Sequence, residues 1–250
     1  MNHKKIFFIL AVIILMSIGV FTDAWMVRAA GTYKSPMTSI SGRNIANPVK
    51  CHLQYNADGS VTIMYSVVIN STQTLYIRTV DSSGETTDLK TVSVPGTTWG
   101  GCIYKGDDGY TYVATGNGGD ALWYFTKFTY DWVNCGTAMI TGDESYTYEA
   151  YHGGNCEMTI VDNYLVVHAA RLRPMTSDGL RHQSNITFYI KTDTMTPVYT
   201  TGEFGFDHVS HSFNQFVRND NGRIITVDHG DAYPRSIYLQ SWKISDTDME

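Results

Sequence analysis

Four turn pairs constrain this chain more than any other feature. Asp58-Gly59, Asp108-Gly109, Asp162-Asn163 and Asn221-Gly222 follow one another at intervals of 50, 54 and 59 residues. Such pairs supply the positive φ that a tight hairpin turn requires. Each is preceded by a short apolar run: Cys51–Tyr55, Cys102–Tyr104, Cys156–Val161 and Phe213–Val217. Each is followed by a run of strand character: Ser60–Ser66, Tyr110–Gly116, Tyr164–Ala170 and Arg223–His229. After a loop comes a further run: Thr74–Val80, Ala121–Phe128, Ile186–Thr192 and Ser236–Trp242. The 17 tyrosines, with abundant Thr, Val and Ile, favour strands. No segment of ten or more residues carries a convincing helical period.

Three strands with room for a fourth, recurring about every 50 residues, resemble a β-propeller blade. The expected fold is all-β: a β-propeller with blade-like repeats at about 49–98, 99–150, 151–207 and 208–250. It would be either a small ring or a fragment of a larger one; the alternative is a β-sandwich. The segments SHSFNQF from Ser210 and DHGDAYPRS from Asp228, in a chain with a leader, resemble a group of uncharacterised bacterial secreted or surface proteins. That resemblance spans roughly 150–240 and implies no known activity.

Residues 1–30 read as a signal peptide or an N-terminal membrane anchor. Lys4 and Lys5 are followed by the apolar stretch Ile6–Val20, and small residues follow at Thr22, Ala24, Ala29 and Ala30. The apolar stretch is short for a span of about 20 residues. Residues 31–48 read as a linker or closing strand. The expected location is therefore secreted or at the cell surface, with membrane contact only through an uncleaved N-terminal segment. Removing Lys4, Lys5, Arg28 and Asp23 takes the net charge from −6 to −8. So acidic a chain, without a basic run, is a poor binder of nucleic acid.

In a hairpin repeat the start of the first strand and the end of the second lie on the face away from the turn. His152 stands ten residues before Asp162 and His211 ten before Asn221, at one repeat position. His168 and His229 close two of the second strands with the same parity, so they are expected on one side. His182, Arg173 and Arg181 belong to the loop after one second strand, and Asp228, Asp231 and Arg235 to the loop after another. The expected pocket gathers His152, His211 and His229 as candidate catalytic residues. His168, His182, Arg173, Arg181, Asp228, Asp231, Arg235 and Trp99 are its candidate ligand-binding residues. His152, His208, His211 and His229 could also hold a divalent transition metal. The leading function is binding of an extracellular glycan or small ligand, with Trp99, Tyr151 and Tyr233 as stacking surfaces. One alternative is a polysaccharide lyase or hydrolase, in which a histidine moves a proton while an arginine pairs with an acidic sugar. Another is a structural adhesin segment.

Cys51, Cys102 and Cys156 recur seven, six and six residues before their turn pairs, which suits small, reduced residues packed near the axis. Cys135 makes the count even, so disulfides remain an alternative. The pairs Gly100-Gly101 and Gly153-Gly154 suggest close backbone approach. Asn70-Ser71-Thr72 and Asn185-Ile186-Thr187 match glycosylation acceptors.

Overall fold

The computed structural model describes residues 51–69, 72–96, 99–117, 120–154, 156–198, 209–232 and 235–246. The leader, residues 31–48, His208 and Tyr233 lie outside the described residues, as does the side chain of Trp99.

Every described strand belongs to one of four antiparallel sheets, met in chain order. The first holds β1 (Cys51–Tyr55), β2 (Val61–Ile69), β3 (Thr72–Val80) and β4 (Thr86–Ser93). The second holds β5 (Trp99–Lys105), β6 (Tyr110–Asn117), β7 (Leu122–Thr129) and β8 (Asn134–Ile140). The third holds β10 (Cys156–Val161), β11 (Tyr164–Met175), β12 (Arg181–Lys191) and β13 (Thr196–Val198), with the two-residue β9 (Glu149–Ala150) added beside β11. The last holds β14 (Ser212–Asp220), β15 (Arg223–Gly230) and β16 (Ser236–Lys243). Four sheets in sequence differ from the two facing layers of a sandwich. No helix among the described residues is long and apolar enough to cross a membrane.

All four turn pairs join the first two strands of a sheet. Gly59, Gly109 and Gly222 take φ of 82°, 87° and 81°, and Asp162 and Asn221 take 54° and 51°. The carboxylates help to close the turns: Asp58 Oδ1 accepts from the Ser60 amide at 2.9 Å, and Asp108 Oδ1 from the Tyr110 amide at 3.2 Å. The leading strands lie beside one another, β1 by β5, β5 by β10 and β10 by β14.

The core is divided between successive sheets. Met64, Leu75 and Ile77 meet Val113 and Phe128 between the first and second. Trp123 and Phe125 meet Phe188 between the second and third, with ring centroids 4.9 and 5.4 Å apart. Val161 and Tyr189 meet Val217, Ile224 and Trp242 between the third and last. Each outer sheet has a side on which large apolar residues are exposed among the described residues. Cross-strand rows Leu53–Ile63–Arg78–Leu89 and Phe216–Val227–Leu239 define those sides. Leu53, Leu89, Phe216 and Leu239 on them are exposed.

The glycine pairs do permit close approach. A Cβ at Gly101 would stand 2.8 Å from the Tyr151 ring, and one at Gly154 would collide with Gln215 and Ala170. Cys102 and Cys156 are buried free thiols with sulfurs 3.1 Å apart, on neighbouring leading strands. Burial, and each thiol's proximity to the other, push the Cys102 thiol well above its ordinary value. Cys135 is exposed, and the Cys51 side chain lies outside the described residues.

Replacing Phe188 with Ala removes the ring shared by Trp123 and Phe125. We expect a loss of about 3–5 kcal/mol in urea unfolding, and less than about 1 kcal/mol for exposed Leu239→Ala.

Candidate functional site

The β11–β12 hairpin is the longest, and its far end forms a platform on the face opposite the turn pairs. On one flank, β9 pairs with Arg171 and Leu172, and the Tyr148 amide donates to Leu172 O at 2.8 Å. On the other, Ser184 bridges Ser210, and the His211 amide donates to Gln183 O at 2.7 Å. The register shifts between Leu172 and Met175. Tyr146, Tyr151 and His211 take φ of 46°, 58° and 51°, uncommon for side chains of this size.

On the platform, cations meet aromatic rings. The Arg181 guanidinium lies over the Tyr148 ring, 3.7 Å from its centroid, and that of Arg173 lies 5.3 Å from the Tyr146 ring. Both tyrosines are partly exposed, at 39% and 48% for Tyr146 and Tyr148. His182 and His211 meet edge to face, with centroids 5.5 Å apart. His182 Nε2 lies 2.7 Å from Asp178 Oδ2. Hydrogen bonds from Thr176, the Leu180 amide and His182 hold the Asp178 carboxyl well below its usual range. Beneath these groups Arg171 is buried. Its Nη1 donates to Ser145 O at 2.5 Å and its Nε to Ser184 Oγ at 3.1 Å, tying the tyrosine-bearing loop to the hairpin.

The seam between the third and last sheets holds a different assembly. Asp228 and His168 have side chains 0% and 1% exposed. Asp228 Oδ2 accepts from Asn185 Nδ2 at 3.0 Å and lies 3.0 Å from His168 Nε2; Oδ1 accepts from Ser212 Oγ at 2.5 Å. An ionised carboxylate only accepts, so His168 carries a proton on Nε2. In the neutral ring Nδ1 then accepts from Thr187 Oγ1, 2.9 Å away. Gln215 donates to Ser212 Oγ at 2.6 Å, and Gln183 donates to Ser212 O. Burial works to raise the Asp228 pKa, but the bonds from His168, Ser212 and Asn185 outweigh it and hold the carboxyl below its ordinary value.

The candidate residues therefore divide. His182, His211, Arg173 and Arg181 come together on the platform. His168 and Asp228 are enclosed and consumed by each other, out of a ligand's reach. His229 takes the same side of β15 as His168 takes of β11: Ile224, Thr226, Asp228 and Gly230 fill the side packed on the third sheet, so His229 points away from it. That side is exposed on β15 but covered by the last sheet on β11. His152 Nδ1 lies 3.2 Å from Glu149 Oε2 without hydrogen-bond geometry. Asp231 pairs with Arg235 at 2.7 Å, and the Asp231 amide donates to His211 O at 2.9 Å. Among the described residues no three His, Cys, Asp or Glu side chains gather as a metal would require. Tyr151 is 1% exposed, its ring against Trp123, so it offers a ligand no surface. Asn185, 3% exposed, is closed to glycosylation in the folded chain. Tyr146, Tyr148 and Arg171 were not nominated from the sequence. The SYTYEAY alternation was the available signal, but it lies outside the strand-like runs that define the repeat.

No family model matches the chain, and no curated protein does. Among solved structures, cobalt-substituted Synechocystis apocarotenoid oxygenase matches with a TM-score of 0.47 and 8% identity over 79% of this chain and 50% of that one. A variant of the same oxygenase matches with a TM-score of 0.46 and 9% identity over 78% and 50%. An α-L-arabinofuranosidase from Clostridium thermocellum ATCC 27405 matches with a TM-score of 0.44 and 13% identity over 81% and 71%. This chain spans about half the length of the oxygenase structures.

Asp228→Ala leaves three buried partners without an acceptor, and we expect a loss of about 3–5 kcal/mol in thermal or urea unfolding. The folded pKa of Asp228 lies below the unfolded one. Its stabilising contribution is therefore complete above about pH 4 and is lost as the pH falls through the folded value. In Asp228→Asn this part of the acid dependence should vanish.

Proposed function

We propose that the protein is an exported β-propeller, or part of one, that binds an acidic glycan on the platform at the end of the β11–β12 hairpin. Four successive antiparallel sheets with adjoining leading strands support the propeller reading. Exposed Leu89 on the outer side of the first sheet and Ile237 and Leu239 on that of the last are residues that a neighbouring blade would cover. Export rests on the basic and apolar start of the chain, Lys4–Val20.

One observation carries the ligand reading: Arg181 and Arg173 are held over exposed Tyr148 and Tyr146 beside the His182–His211 pair. A guanidinium takes a carboxylate through two parallel hydrogen bonds. A partly exposed tyrosine offers an apolar face to a sugar ring and a hydroxyl to its edge. Arg171 and β9 fix the loop, which limits the ordering cost of binding. A negatively charged sugar such as a uronate satisfies both groups. A neutral sugar offers the Arg181 guanidinium no carboxylate.

Calorimetry with oligogalacturonate and the matching neutral oligogalactose tests this. We expect the acidic oligomer to bind at least about tenfold more tightly, with the advantage shrinking as salt rises. Arg181→Ala should remove most of that advantage while leaving the melting temperature nearly unchanged. Equal affinity for the two oligomers, or none for either, would contradict the proposal.

A further inference from the structure

On the opposite side of the molecule, the turn-side halves of β1, β5, β10 and β14 surround a cavity of about 730 Å³. That volume falls within the range of small-molecule sites. The larger share of its lining is polar and includes Glu157, Thr159, Lys105 and Arg218; Leu53, Tyr55, Tyr104 and Phe216 add apolar and aromatic surface. Glu157 marks the inner end, since the other three strands line the cavity only beyond Leu53, Ile103 and Phe216.

Among the described residues Glu157 has no counterion. Desolvation raises its pKa, to about 7, and no cation of the described residues acts against that rise. Its cross-strand partner on β11 is His168, which is bonded to Asp228. From β5, Lys105 and Asp107 line the same cavity, but the Lys105 ammonium lies over the Tyr130 ring, 4.6 Å from its centroid. Cys102, also on β5, is a buried thiol whose own pKa Glu157 helps to raise. From β14 comes Arg218, exposed at the rim, and among the described side chains of β1 the Tyr55 phenol is the titratable one. The platform reading uses none of these groups.

We infer that this axial cavity is a second binding site, which takes a small organic amine: its ammonium pairs with Glu157 and its body lies against Tyr104 and Phe216. An ammonium is the group that restores to a desolvated carboxylate the interaction that burial removed. The aromatic rings add attraction for the cation and an apolar surface for the carbon skeleton. An anion would meet the Glu157 charge at the inner end, and a neutral alcohol would leave it uncompensated.

Titration calorimetry of the whole chain with cyclohexylamine and glucosamine, against cyclohexanol and glucose, tests the inference. We expect the amines to bind at least about tenfold more tightly than their neutral counterparts. Only ionised Glu157 pairs with the ammonium, and cyclohexylamine stays protonated through this range, so its affinity should rise about tenfold between pH 6 and pH 8. Glu157→Gln should abolish amine binding, whereas Glu157→Asp should keep its pH dependence. The wild-type pH profile needs no variant, so a folding failure of Glu157→Gln leaves the test intact. No amine binding at millimolar concentration, equal binding of the neutral compounds, a flat pH profile or full affinity in folded Glu157→Gln would each overturn the inference. Arg181→Ala should leave amine affinity unchanged, which separates this site from the platform.

Discussion

A buried carboxylate holds the third and last sheets in one arrangement. Asp228 lies on β15, and the groups bonded to it come from β11, β12 and β14. A lone carboxylate in that seam would be strongly unfavourable, and it is tolerated because His168, Asn185 and Ser212 surround it. Each of these side chains is placed by its own strand, so the bonds close only when the sheets meet in one register. The surrounding apolar contacts, Val161 and Tyr189 against Val217, Ile224 and Trp242, are less particular about direction.

This lock also locates the platform. The segment that carries His211 runs from the last sheet back to β12, through the Ser184–Ser210 bridge and the His211 amide. Asn185, next to Ser184, bonds both Asp228 and the Val209 amide. Across the hairpin, Arg171 fastens the loop that carries Tyr146 and Tyr148. The exposed arginines, tyrosines and histidines of the platform therefore stand on a hairpin braced from both sides by buried polar contacts. The axial cavity depends on another feature, the convergence of the four leading strands.

The sheets were legible because their turns are chemically distinct. Asp-Gly and Asn-Gly pairs announce positive φ, and twelve strands overlap the runs around them. But β11 runs on to Met175 and β12 begins at Arg181, which takes onto strands Arg173, Arg181 and His182, three residues expected in a loop. The outer strands β4, β8 and β13 carried little signal. Much of β4 is exposed and β13 has three residues, so neither needs a strong apolar alternation. The histidines were legible in position and in the side of the strand they take, but not in what covers that side. Parity puts His168 and His229 on corresponding sides of their strands, and the last sheet covers that side of β11 while on β15 it is exposed. The density of polar residues near strand ends was real, but part of it is interior lock and part is exposed platform. Only packing separates the two, since a buried histidine and an exposed one look alike in a sequence.

The division between lock and platform is tested most directly by a double-mutant cycle on His168 and Asp228, read by urea unfolding. With the two groups acting as one buried unit, His168→Ala, Asp228→Ala and the double variant should lose similar amounts, leaving a coupling of at least about 2 kcal/mol. Additive losses, with coupling near zero, would contradict the account and return both residues to the candidates for ligand binding.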